Sequence, residues 1–292
     1  ATNVEINVSI TEANLNEVKY NWNGTNYTVY NDSLVLMYNF DNVSALGEND
    51  THVFDVSGNG NNGTTSGTTW SSSGKYGGGF EFDGQNDYID IMDSVSGGHD
   101  FTTIGNNDDY TLSAWIKTDA PSVGGGLKWW TEYTIVELRT QDNEGTKVPF
   151  SFGLEDNVLS LARSHDDDIS DEREIGVTAV NDGVWHHVVA SVSDDDVSFY
   201  VDGSLDAERT YTTATGDCSV GNTISNMQIG ARSNDGGEKD RNSFNGTIDE
   251  IRLWNRTLLA DEVYQEYASN LNKFNETQWY LYVNQSLNAT DG

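Results

Sequence analysis

Apolar residues in this chain recur with a period of two, in runs too short for helices and closed off by glycine-rich turns. That pattern restricts the chain to β-structure. Tyr110–Lys117, YTLSAWIK, alternates most cleanly: Leu112, Ala114 and Ile116 face one side of a strand and Trp115 the other. Val35–Phe40, Thr134–Arg139, Phe150–Leu154, Met227–Ala231 and Thr247–Leu253 read as further strands. Gly79–Ile91, GFEFDGQNDYIDI, alternates about a DGQND turn, the pattern of a hairpin. Val158–Arg163 is expected to pair with Phe150–Leu154 across a DN turn, and Trp185–Val192 leads into Val197–Asp202 as another hairpin. One segment has helical periodicity. Over Ala260–Leu271, the residues Leu259, Val263, Tyr267 and Leu271 recur at i+4, with an acidic first turn. Ten or more short strands with one late helix specify an all-β, two-sheet sandwich.

The 292 residues suffice for one large sandwich and a smaller appendage. Acidic residues number 47 against 15 basic, a formal charge of −32. Nucleic-acid binding needs a basic footprint and is excluded on this ground. An anionic membrane surface is disfavoured for the same reason. Such acidity serves solubility or a salty medium, and clustered carboxylates also attract divalent cations. Cys218 is the only cysteine, so no internal disulfide forms, and stability must come from the core or a metal. A secreted protein without disulfides fits a prokaryote, such as an archaeon, better than an animal. No apolar run reaches the length of a membrane span. The opening ATNVEINVSI reads as a mature terminus left by cleavage at a small residue.

Eight motifs follow one another between about Ser33 and Leu271. They are an LxxxFD-type strand end (Asp41), DVSGNGNNG from Asp55, GFEFDGQNDYI from Gly79, YTLSAWIK, GVWHHVVASV from Gly183, YVDG from Tyr200, IGA from Ile229, and GTIDEIRLWNRTL from Gly246. In this order they resemble the laminin-G-like domains of the concanavalin A-like lectin and glucanase superfamily. The resemblance implies a jelly-roll sandwich whose first and last core strands lie side by side, in a family mainly of binding and adhesion modules. It also implies a structural calcium where those strands meet. The matching ligand positions are Asp41, Asp55, Asn59, Asn61 and Asp249. Calcium takes six to eight oxygens, and a Gly-Asn loop can turn carbonyls inward to supply some of them. The alternative for that loop is a polar turn in which Asp55 and Asn59 cap the backbone.

The two ends fall outside the resemblance. Residues 1–32 and 272–292 flank the sandwich of residues 33–271. Val4–Ile10 and Tyr20–Tyr30 read as two strands, and Gln278–Asn284 as a third, alternating Trp279, Leu281 and Val283. They need one another to bury anything, which is expected of a partial Ig-like unit interrupted by the large domain. NQSLNATDG stops where a following strand is expected, so a longer precursor continues or another molecule supplies the strand. Terminal-strand complementation of this kind, repeated head to tail between copies, builds open filaments.

Asn-x-Ser/Thr sequons occur at Asn7, Asn23, Asn26, Asn31, Asn42, Asn49, Asn62, Asn245, Asn255, Asn275, Asn284 and Asn288. Chance predicts about six. All lie before residue 65 or after residue 244, so sugar on them would coat the two ends and spare the middle.

No catalytic set is visible. Retaining glucanases on this fold carry E-x-D-x-E on one strand, placing two carboxylates roughly 5 Å apart. Glu137–Glu144 has the wrong spacing, and Asp249–Glu250 lacks the third acid. His186 and His187 are adjacent in a strand and point to opposite faces, which argues against a zinc pair. The acidic runs His165–Glu174 and Asp194–Asp196 lack EF-hand spacing and read as solvated loops. Trp129 and Trp130 sit in a glycine-led loop, where one ring could stack on a sugar or pack on a neighbouring subunit. The sequence therefore reads as a non-catalytic extracellular glycoprotein at the cell surface, structural or adhesive, with other copies of itself as partners. The alternative is a calcium-supported lectin-like module for surface glycans.

Overall fold

A strand that alternates apolar and polar residues can bury only one face, so two such sheets must stack. The computed structural model describes residues 2–92, 109–122, 131–142, 145–164, 172–211, 224–232 and 243–287. In chain order the strands are β1 (Thr2–Thr11), β2 (Val18–Trp22), β3 (Thr25–Tyr30), β4 (Leu34–Tyr38), β5 (His52–Val53), β6 (Gly63–Ser66) and β7 (Thr69–Ser71). Then come β8 (Gly79–Asp83), β9 (Tyr88–Met92), β10 (Tyr110–Lys117), β11 (Tyr133–Asp142), β12 (Gly145–Glu155), β13 (Val158–Ser164) and β14 (Glu172–Ile175). The last are β15 (Trp185–Ser193), β16 (Asp196–Val201), β17 (Ser204–Thr210), β18 (Ile224–Ile229), β19 (Asn245–Trp254), β20 (Ser269–Lys273) and β21 (Gln278–Leu287), with helix α1 (Ala260–Ala268) before β20.

One large sheet runs β17-β16-β15-β10-β19-β8-β7, with β4 also on β19. The other runs β14-β13-β12-β11-β18-β9-β6-β5. Their facing sides enclose one core that includes Leu112, Ala114 and Ile116 of β10, Phe150 and Phe152 of β12, and Phe199 of β16. Trp115 points out of the opposite face, as the alternation predicts. β12–β13 and β15–β16 are the expected hairpins. Asp156 and Asn157 both take positive φ, the twist that a tight two-residue hairpin turn needs.

Three expectations are corrected. β8 and β9 do not pair: β8 joins β19 and β7 in one sheet, whereas β9 joins β18 and β6 in the other. The DGQND turn is a crossover between layers. The helix stops at Ala268, because Ser269 turns extended and residues 269–273 pair with β21 instead. Tyr20–Tyr30 is a hairpin rather than one strand, folded at Asn23–Gly24 where both residues have positive φ.

The chain ends meet. β1 pairs with β21 from Thr2↔Leu287 to Thr11↔Gln278, and β20 flanks β21 on its other side. The two terminal strands expected to complete a neighbour's sheet are thus each other's partners within one chain. This three-stranded sheet does not stand apart. Trp279, Leu281 and Val283 of β21 share a second core with Val18, Val29 and Tyr30 of the hairpin and Met37, Val189 and Trp254 on the outer face of the sandwich.

Candidate functional site

β19 has two partners on one edge. Its first half, Asn245–Ile248, pairs with β8, and its second half, Ile251–Trp254, with β4. Between them the register against β10 slips, so that Asp249 opposes Trp115 and Arg252 opposes Ser113. Glu250 sits in this bulge at φ +51°, a left-handed conformation that costs a non-glycine residue about 1–3 kcal/mol. Such strain persists only where surrounding bonds hold it.

The side chains around the bulge supply those bonds. Asp249 is fully buried. Its Oδ2 accepts the backbone N–H groups of Lys75 at 2.8 Å and Tyr76 at 3.0 Å, and its Oδ1 accepts that of Glu250 at 2.8 Å. Asp41, just beyond β4, accepts the N–H of Gly78 at 3.0 Å and the amide of Asn272 at 2.6 Å. The turn Gly74–Gly78 is therefore clamped from two sides. Gly77 must be glycine there: its φ is +69°, and a Cβ would lie 1.9 Å from Asp41 Oδ1.

Behind the clamp lies a buried polar network. Glu250 accepts from Asn39 and Asn270, both at 2.8 Å. Arg252 donates to Glu266 of α1 at 2.6 Å and to Asn270 of β20 at 2.7 Å. Burial pushes the Glu250 carboxyl up to about 8, against the pull of Arg252 and with the push of Asp41. Burial, and then the Glu250 charge, hold Asp249 well above the usual carboxylate range. His187, enclosed against Trp115 and Tyr267, is depressed to about 3 by burial and is neutral.

The clamped turn forms one wall of a cleft of about 960 Å³ between the sandwich and the terminal sheet. Asp41–Ala45 and Tyr76–Gly77 come from the sandwich, and Asn7, Asn270, Asn272, Phe274, Tyr280 and Tyr282 from the terminal sheet and its turn. The rings of Tyr76 and Tyr282 meet across it at 5.9 Å between centroids. Tyr280 and Phe274 are half-exposed neighbours, 6.2 Å apart and near-perpendicular. Apolar ring faces thus alternate with amide groups. Among the described residues, the one carboxylate that lines this cleft is Asp41.

The structure divides the sequence-predicted calcium ligands. Asp41 and Asp249 flank the Gly74–Gly78 turn. Asp55, Asn59 and Asn61 lie in another turn, where Asp55 accepts the N–H groups of Met37, Ser57 and Asn61. Asn59 and Asn61 donate their amides to the carbonyl of Val35. Asp41, Asp55 and Asp249 thus present their oxygens to N–H donors, and among the described residues no three acidic, histidine or cysteine groups converge as a metal site. The five positions therefore fall at two separate turns, Asp41 and Asp249 at one and Asp55, Asn59 and Asn61 at the other. Trp129, Trp130 and Asn288 lie outside the described residues, as does most of the acidic run after His165. Of the remaining sequon asparagines none is buried, and Asn7 and Asn42 line the cleft. Sequence reasoning missed Tyr76, Phe274, Tyr280 and Tyr282. The signal was present: Tyr280 and Tyr282 occupy the outward face of a strand whose inward face is Trp279, Leu281 and Val283.

Comparison with known proteins bears on the fold. The family described as the concanavalin A-like lectin/glucanases superfamily (Laminin_G_3) matches residues 83–264. No curated protein matches the chain in sequence. Among solved structures, domain 4 of AbnA, a GH43 extracellular arabinanase from Geobacillus stearothermophilus, in complex with arabinotriose, is similar at 22% identity. The likeness covers 79% of this chain and 96% of that one, with a TM-score of 0.54. The binding domain of Paraclostridial Mosquitocidal Protein 1 is similar at 18% identity over 81% and 52%, with a TM-score of 0.55. The binding domain of botulinum neurotoxin DC in complex with SialylT is similar at 12% identity over 81% and 51%, with a TM-score of 0.54. The chain spans about half the length of these toxin domains, and at such identities the likeness is one of fold.

Proposed function

The chain belongs to the concanavalin A-like lectin/glucanase superfamily, and we propose that it is a non-catalytic, extracellular carbohydrate-binding module. The carrying observation is the cleft between sandwich and terminal sheet. Sugars present apolar C–H faces and a rim of hydroxyls. Tyr76, Tyr280, Tyr282 and Phe274 supply ring faces for the first, and Asn7 and Asn42 supply paired donors and acceptors for the second. Among the described residues the lining is chiefly rings and amides, with Asp41 as its carboxylate, a composition suited to holding a sugar. The fold neighbours include a domain in complex with arabinotriose and toxin binding domains, which is consistent with this reading. The test is isothermal titration against a panel of neutral and acidic oligosaccharides, with Tyr280→Ala as control. Binding weakened about tenfold or more by the substitution is expected. Binding untouched by Tyr280→Ala and Tyr76→Ala would place the ligand elsewhere and sink the proposal.

One observation favours a second reading, self-association at a cell surface. β1 is an edge strand whose Ile6 and Val8 are 37% and 40% exposed. Light scattering across a concentration series tests it. A monomer throughout would leave the cleft as the functional surface.

A further inference from the structure

Behind the Tyr76–Tyr282 ring pair lies a second, smaller cleft of about 240 Å³. Its centre is Lys75, whose ammonium sits 3.8 Å from the centroid of the Trp115 ring and 5.8 Å from that of Tyr76. Lys75 is half-buried, yet among the described residues its ammonium makes no hydrogen bond and no ion pair. This is unexpected in a chain with 47 acidic residues against 15 basic. The two carboxylates whose fields reach it are committed elsewhere. Asp202 accepts from His187 N–H at 2.9 Å and contacts His186 Nδ1 at 2.9 Å, and Asp249 holds three backbone N–H groups. The hydroxyls of Tyr76, Tyr264 and Tyr267 likewise have no partner among the described residues. The cleft thus gathers one cation and three hydroxyls, with the amides of Asn3 and Asn284 at its rim and no carboxylate in its lining among the described residues. A half-desolvated ammonium without an acceptor is costly, and a ligand carboxylate offsets that cost with a charge-assisted bond.

We infer that this cleft is a subsite for an acidic sugar, a uronate whose carboxylate pairs with Lys75 while its ring lies against the aromatic wall. The inference rests on the carbohydrate-binding reading and extends it, because both clefts share the walls of Tyr76 and Tyr282. One ligand can therefore lie across the two. The net charge of −32 does not forbid an anion here, since at physiological salt exposed charges beyond about 8 Å are screened. The backbone of Lys75 is also fixed before any ligand arrives, through Asp249.

The experiment is calorimetric titration of the whole chain with trigalacturonate and with its carboxyl-reduced, neutral counterpart. Wild type is expected to bind the acidic trimer at least tenfold more tightly. Lys75→Met, which keeps the stem over Trp115, should reduce that preference to within twofold by weakening the acidic trimer far more than the neutral one. Tyr267→Phe, which removes one hydroxyl, should weaken the acidic trimer selectively by a few-fold. Equal affinity for the two trimers, or a preference that survives Lys75→Met, overturns the subsite and leaves the larger cleft standing. Binding of neither trimer, with no hit in the oligosaccharide panel, overturns both.

Discussion

Asp249→Ala is the sharpest test of how this site is built. The carboxylate accepts three backbone N–H groups, from Lys75, Tyr76 and Glu250. Removing it leaves the Glu250 N–H unpaired in a fully buried place, while the other two lie nearer solvent and recover part of their bonding from water. An unsatisfied buried donor costs about 1–3 kcal/mol, and the half-buried pair adds about 1–2 kcal/mol together. The substitution also removes a buried acid whose desolvation disfavours folding, which returns a part of that cost. The net expectation is a destabilisation of about 2–4 kcal/mol, read as a lower midpoint in urea unfolding at unchanged slope. Because Lys75 and Tyr76 hang on the same bonds, glycan affinity should fall in the fraction that remains folded. Asp249→Asn keeps one oxygen for Lys75 and Tyr76 and should cost less. A destabilisation of Asp249→Ala below about 0.5 kcal/mol, with affinity intact, would refute the clamp.

The buried acids also predict a pH dependence. Glu250 is raised to about 8 and Asp249 is raised well above the usual carboxylate range, both chiefly by burial. The folded chain therefore holds protons that the unfolded chain releases near pH 4–5, so this contribution is complete at low pH and is lost as pH climbs through the folded values. Unfolding free energy measured in urea should fall by about 1–4 kcal/mol between pH 5 and 9, and Glu250→Gln should flatten that slope; a variant profile parallel to wild type argues against it. Chelation should do little, since the acidic oxygens at the implied calcium positions already face N–H donors: EDTA is expected to move Tm by less than about 2 °C, and a larger drop reversed by calcium would restore a metal there.

The sandwich was legible because its signals are local. The YTLSAWIK alternation fixes which face of β10 is core, and a two-residue turn such as Asp156–Asn157 specifies its own hairpin. β8 and β9 were harder, since alternation looks the same whether a strand pairs with its neighbour or crosses to the opposite layer. At Leu271 an i+4 helical spacing coincided with the period-two spacing of Ser269, Leu271 and Lys273, and pairing with β21 decided between them. At the site, the family motifs single out Asp41 and Asp249, and both hold N–H groups of one turn. Those bonds depend on the Gly74–Gly78 turn, and no spacing rule connects that turn to Asp249, more than 170 positions away. Tyr280 and Tyr282 were visible as aromatic residues on an outward face, but only the docking of the terminal sheet on the sandwich gives that face a wall opposite it.

The cleft owes its rigidity to bonds between segments far apart in sequence. Asn272 on the terminal sheet donates to Asp41 on the sandwich, and Asn39 at the end of β4 donates both to Glu250 and to the carbonyl of Leu271 at 3.1 Å. The strained bulge at Glu250 is thus held by the same residues that dock the terminal sheet. Moving one wall relative to the other would unpair buried polar groups at about 1–3 kcal/mol each. A site so tied is formed before ligand arrives and pays little ordering entropy on binding, which matters where a shallow sugar contact yields little energy per residue. The terminal sheet, by this argument, covers the outer face of the sandwich for its second core and in the same step supplies the aromatic half of the cleft.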